Sequence, residues 1–143
     1  MTIPRLNELQ GLAVARIAAL PAISGHSVIA NQGTQSSEIE SALRNKGVCV
    51  VVAPVLLGRK RDQRGPRWIL DVELMVSIKV NTAKAPSFDV FAAIVEIMNG
   101  LCADPRHPGG EYFQVADGEG FSLSQFDAGL LAYDLIFTKE VML

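Results

Sequence analysis

Between Trp68 and Val80 the chain alternates with a period of two. Trp68, Leu70, Val72, Leu74, Val76, Ile78 and Val80 fall on one side; Ile69, Asp71, Glu73, Met75, Ser77 and Lys79 fall on the other. A period of two over so many residues specifies a half-buried strand and excludes a helix. At ~3.4 Å per residue such a strand reaches roughly 40 Å, about twice the usual length. A small domain does not need a ribbon that long for its own core, so the pattern predicts a strand that lies against another subunit.

The chain has 143 residues, the size of one domain, so residues 1–143 are read as a single unit. A domain of this length buries roughly 70% of its unfolded surface and needs no covalent staple. Apolar residues make up 49% and charged residues 20%, with a mean hydropathy of +0.26. No apolar run reaches the ~20 residues of a membrane span, so the surplus is assigned to subunit contacts. A net charge of −2 gives no general attraction for nucleic acid. Cys49 and Cys102 sit in apolar segments and are read as buried, reduced thiols. The N-terminal segment, with Arg5, Glu8 and Gln10, lacks the order of a signal peptide, and synthesis in the cytoplasm is expected.

The pattern predicts a first helix from Pro4 to Leu20, stopped by Pro21, with Leu6, Leu9, Ala13, Ile17 and Leu20 as its apolar stripe. A short strand from His26 to Ala30 follows. A second helix is expected to open with a capping box at Ser37 and Glu40 and to close at Gly47. Its buried face would be Ile39, Ala42 and Leu43. Val48 to Leu57 reads as one central strand, apolar on both faces. Gly58 to Pro66 reads as a polar tip that completes a long hairpin with the Trp68 strand. A third helix is expected from Pro86 and Ser87 to Ala103. One stripe on it is Phe88, Phe91, Ala92, Val95, Met98 and Cys102; an adjacent one is Ile94, Ile97 and Leu101. With only Asp89, Glu96 and Asn99 polar, it must be deeply buried or covered by another subunit. After a loop from Asp104 to Gly110, Tyr112–Val115 and Phe121–Gln125 read as a small ribbon. The last strand, Leu130–Val141, turns Leu131, Tyr133, Leu135, Phe137 and Val141 to one side. This order gives an α+β class: a mostly antiparallel sheet with a long β-hairpin and helices packed on one face.

Arg59, Lys60, Arg61, Arg64 and Arg67 place five of the thirteen basic residues in nine positions at the hairpin tip, next to Trp68. They suit an acidic protein surface, a phosphate backbone, or a solvated tip guarded against edge pairing. Trp68 is the one aromatic near them, which is thin support for single-strand stacking. Asp71 and Glu73 share a strand face. Paired carboxylates can bind a divalent metal or act as acid and base, but no third ligand lies near them in sequence. His26 and His107 have no ligand at helical spacing. Ser24 lacks the G-x-S-x-G elbow, Gly118 and Gly120 read as a turn, and no glycine-rich loop precedes Lys-Ser/Thr. No catalytic residue, cofactor or metal is expected. The third helix has no Lys or Arg on its polar side, which disfavours a membrane surface.

The stretch Ile39-Glu40-Ser41-Ala42-Leu43-Arg44-Asn45-Lys46-Gly47 runs into Val48-Cys49-Val50-Val51-Val52-Ala53-Pro54. Beyond it come a charged tip, a long alternating strand, an apolar helix ending near a Gly/Pro loop, and a terminal strand. As an order of elements over nearly the whole chain, this resembles the tail-terminator (tail-completion, minor tail) proteins of tailed bacteriophages. The resemblance implies a structural virion protein: a homo-oligomeric, usually hexameric ring on the head-proximal end of the tail tube. Such a ring ends tube polymerisation and offers the surface that joins the head. Its implied partners are the tail tube protein and a head-completion or connector protein. DNA would pass through the lumen without sequence-specific binding. By position, the tip with Arg59, Lys60, Arg61, Arg64, Arg67 and Trp68 would contact protein, because basic residues at a channel would slow DNA. Asp71 and Glu73 would face an interface or the lumen. Two other roles stay open: a head–tail connector or neck protein of the same particle, and a nucleic-acid-binding accessory protein using the basic tip.

Overall fold

The computed structural model describes residues 3–102, 113–116 and 121–142; the side chains of residues 3–7, 58–64, 67 and 142 lie outside this description. Among the described residues, three helices, α1 (Ile3–Ala18), α2 (Ser36–Asn45) and α3 (Val90–Leu101), accompany seven strands. These are β1 (Ser27–Ala30), β2 (Val48–Val52), β3 (Leu56–Arg64), β4 (Arg67–Asn81), β5 (Gln114–Val115), β6 (Phe121–Asp127) and β7 (Leu130–Met142). The strands form one sheet in the order β1-β2-β4-β7-β5, with β3 added to β4 and β6 added to β7. All pairings are antiparallel except β1 with β2, which α2 connects as a parallel crossover. The fold is α+β with a mostly antiparallel sheet.

The alternating strand forms as its sequence demands. β4 keeps an unbroken register with β7 from Ile69↔Met142 to Asn81↔Leu130. On one face, Val72, Leu74, Val76, Ile78 and Val80 are buried with Val48, Val50 and Val52 of β2 and Leu135 and Phe137 of β7. Leu9, Ala13 and Ile17 of α1 and Ala93, Ile97 and Leu101 of α3 close over them. Most of β4 therefore serves this chain's own core, contrary to the expectation that so long a strand must seek another subunit. The two-stranded part that outruns β7 is short, from Gln63 to Trp68. α1 and α3 pack on one face, as expected. α2 lies against β2 and β4, where Cys49 and Val51, on the opposite side of β2, are buried as well.

Several boundaries differ from the sequence expectation. Val48–Leu57 is two strands: Pro54 has no N–H to donate, and the ladder breaks between Val52 and Leu56. Residues 58–64 are strand and not an open tip; the turn is Gly65–Pro66, with Gly65 at φ 59, the glycine-first pattern of a II′ hairpin. β3 carries two register shifts against β4, between Leu57 and Lys60 and between Lys60 and Asp62. α2 starts at Ser36 without a side-chain cap, so the Ser37–Glu40 box does not form. The Oε1 of Gln35 instead accepts from the N–H groups of Gln32 and Thr34, which folds the loop on itself and moves the start forward. α3 starts later than Pro86, because Asp89 caps it by accepting from the Ala92 N–H at 3.1 Å. β5 and β6 each pair with β7 and do not form a ribbon with one another. Tyr112, Asp104–Gly110 and Asp117–Gly120 lie outside the described residues. α1 ends at Ala18, and Ile23 in the following turn is fully buried.

Two backbone positions fix how elements join. Gly47 sits at φ 85 and its N–H donates to the Ala42 carbonyl, closing α2 as expected. A Cβ at Gly47 would lie 2.8 Å from Ala85 Cβ and 3.0 Å from Ala85 N. At the other end, β6 and β7 are joined by Ala128 (φ 49) and Gly129 (φ 80), a pair that suits a I′ turn.

Gly47→Ala should therefore lower stability by at least ~1–2 kcal/mol, through left-handed strain and the Ala85 contact, read as a lower urea midpoint at unchanged slope. Val76→Asp should abolish folding of the isolated chain, since it buries an unpaired charge in the centre of the core; circular dichroism of the purified variant tests it.

Candidate functional site

The residues singled out for chemistry do not converge. The register sets Arg64 opposite Arg67, and Lys60 opposite Leu70, so the basic residues run along a strand pair and do not cluster on a loop. The side chains of Arg59, Lys60, Arg61, Arg64 and Arg67 lie outside the description; that of Trp68 is partly exposed. Asp71 is half-buried and Glu73 exposed on the face opposite Val72 and Leu74. The register adds a third carboxylate: Glu140 of β7 stands opposite Asp71. Sequence spacing could not find Glu140, because only the pairing of the last strand brings it there. Among the described residues, no three His, Cys, Asp or Glu side chains converge as a metal ion would require.

On the same face, the Ser77 Oγ donates to Asp134 Oδ1 at 2.6 Å, which satisfies a buried hydroxyl across two strands. His26 packs edge-on to Phe88 with ring centroids 5.2 Å apart, and its Nδ1 is buried without a hydrogen-bond partner among the described residues. Nothing at that nitrogen activates Ser24. His107 lies outside the described residues. A broad, shallow depression of about 410 Å³ lies beside α2, lined by Glu40, Arg44, Asn81, Lys84 and Leu130 among others. It has no buried polar group aimed into it.

Both thiols are held protonated. Burial pushes Cys49 up to about 11, with Lys79 only partly opposing it. Cys102 is half-buried, contrary to the reading as a core thiol, and burial raises it too, against a backbone hydrogen bond from Val115. Neither is a nucleophile at neutral pH.

What the fold does assemble is an uncovered apolar surface. α3 turns Ala93, Ile97 and Leu101 inward, so the buried stripe runs through Ala93, and Phe91 and Val95 are left outside. Phe91 meets the Tyr133 ring at 5.8 Å in a T-shaped contact. Tyr133 stands opposite Leu123 of β6, with Phe121 opposite Leu135 and Phe126 opposite Leu131. Every residue of β6 is exposed, and its three apolar side chains continue the α3 surface along the sheet edge. α3 is therefore not deeply buried all round: in the single chain its outer face is bare. On the other side of β4, beside its middle, Leu56 and Leu57 open β3 and are also exposed, one on each face of the sheet. The reading of Phe121–Gln125 as one side of a ribbon concealed the β6 contribution, since only its pairing with β7 places it beside α3.

With Cys49 neutral in the folded chain and ionising near pH 9 when unfolded, native stability should be complete below pH 9 and fall as pH rises towards about 11. Urea midpoints of the wild-type chain and of Cys49→Ala across pH 8–11 check this; the variant should show the shallower decline.

Compared with known proteins, the chain matches no protein-family model and no curated protein.

Proposed function

We propose that this chain is a structural virion protein that caps the head-proximal end of a phage tail tube. It would form a ring, hexameric by analogy with the tail terminators it resembles, that ends tube polymerisation and carries the head-joining surface. The observation that carries this reading is the bare outer face of α3, continued by β6. A chain with Phe91, Val95, Phe121, Leu123 and Phe126 exposed together gains free energy by assembling. The order of elements in the sequence supports the particular assembly. In this reading the partners are further copies of the chain, the tube protein, and a head-completion or connector protein. The chain is made in the host cytoplasm and resides in the virion. The face bearing Asp71, Glu73 and Glu140 would line the lumen or an interface; on a lumen wall its negative charge repels DNA and lets it slide. The basic hairpin end would meet an acidic protein surface.

The decisive experiment joins two measurements. Light scattering at high protein concentration should give a closed oligomer near six copies. Added to polymerising tube protein of the same particle, the ring should yield tubes capped at one end in electron micrographs. A chain that stays monomeric and leaves tube ends and lengths unchanged would overturn the reading. An oligomer that binds portal or connector preparations but not tubes would move the role to another neck component.

A further inference from the structure

We infer that copies of this chain join edge to edge, with β6 of one copy adding to the outer side of β3 of the next, so that one sheet runs on from copy to copy. The inference rests on the ring reading and names the two strands that make the contact.

The state of the sheet's edges supplies the first argument. Among the described residues, β3 pairs only with β4 and β6 only with β7, so each lacks a strand partner on its outer side. With nine and seven residues they are of similar length, whereas the other outer strands, β1 and β5, have four and two. β6 also carries no Lys, Arg or Pro, the residues that commonly guard an edge against pairing. All seven of its residues are exposed. Phe121, Leu123 and Phe126 stand opposite Leu135, Tyr133 and Leu131, so a strand added to β6 arrives alongside that bare apolar row.

Direction supplies the second. β3 is antiparallel to β4, β4 to β7, and β7 to β6, so β3 and β6 run in opposite senses on opposite edges of the sheet. A following copy that continues the sheet without turning it over therefore offers its β3 antiparallel to β6, the commoner and slightly stronger pairing. β3 flanks the Arg67–Glu73 part of β4, whereas β6 flanks the part of β7 registered with Val76–Asn81. Joining them staggers each copy along the strands, and closing a sheet by rotation requires such a stagger. Contact between unlike edges, repeated by rotation, closes a ring.

Charge supplies the third, and it selects the partner. Gly58 to Arg67 holds five basic residues and one acidic, Asp62. Ala85 to Thr138, which supplies α3, β5, β6 and most of β7, holds eight acidic residues and one basic, Arg106. A β3 strand beside a second β3 sets like charges together. Beside β6 it meets the acidic half of the next copy, so the unlike contact is favoured and the like one is opposed.

A charge exchange tests the pairing. One variant carries Ser122→Lys and Gln125→Lys on β6, both exposed positions. The other carries Arg59→Glu, Arg61→Glu and Arg64→Glu on β3; if it fails to fold, Arg61→Glu alone replaces it. Circular dichroism of each variant should match that of the wild-type chain. By sedimentation velocity the wild-type chain should form the closed oligomer. Each variant alone sets like charges across the junction and should associate roughly 30-fold more weakly or worse. An equimolar mixture should recover closed oligomers in which the two variants alternate, because Lys-bearing β6 then meets Glu-bearing β3 and the remaining junctions are wild-type. Variants that each assemble as the wild-type chain does would overturn the pairing and leave the ring standing. A mixture no better than its components, while the wild-type chain closes, would do the same. A wild-type chain monomeric at every concentration would overturn the pairing, and the ring would fall with it only if tube ends and lengths also stay unchanged.

Discussion

The antiparallel register between β4 and β7 is the constraint on which the rest depends. It runs without a slip from Ile69↔Met142 to Asn81↔Leu130, the longest pairing in the molecule. Because the side-chain period is two, this single register decides which residues of both strands face α1 and α3. It sets Val76 against Leu135 and Leu74 against Phe137 in the core. It also sets Ser77 against Asp134 and Asp71 against Glu140 on the other face. β2 and β3 divide the second edge of β4 between them, and β5 and β6 divide the outer edge of β7. The sheet is two long strands with short ones laid along them.

Much of this was legible in the residues, and the reasons differ by element. The β4 alternation was visible because one face is uniformly apolar and the other is not. Gly47 was visible because helix closure demands a left-handed residue there. The split of Val48–Leu57 was hidden by its uniform apolarity, although Pro54 was the available signal. The start of α2 was misplaced because Ser37 and Glu40 have the spacing of a capping box, while Gln35 wins the local hydrogen bonds. Helix α3 posed a different difficulty: with so few polar residues, its sequence holds two apolar stripes and does not say which one is inward. Packing against α1 and the turn that follows it decides it. Gly100 lies against Leu20, where a Cβ would approach its Cδ2 to 3.1 Å, and Glu96 accepts from the Ala22 N–H.

The candidate surface was half legible. The shortage of polar residues on α3 announced a face in need of cover, and the fold leaves Phe91 and Val95 bare. The share contributed by β6 depends on non-local pairing, which a single sequence does not print. The same holds for Glu140 beside Asp71. The charged positions Arg59 to Arg67 were visible as a cluster in sequence, but their distribution along paired strands follows from the two-residue turn at Gly65–Pro66.

The unequal regularity of the two sides of β4 bears on how such a chain can diverge. Against β7, loss or gain of one residue within Ile69–Asn81 would turn every following side chain to the wrong face and exchange core for solvent. Against β3, the ladder already absorbs odd residues as irregularities near Leu57, Lys60 and Asp62. Length is therefore fixed in one arm of the hairpin and negotiable in the other. Insertions and deletions can accumulate in β3, where they reshape the outward edge, while β4 tolerates only substitution. A lineage can thus reshape that edge without disturbing the sheet behind it.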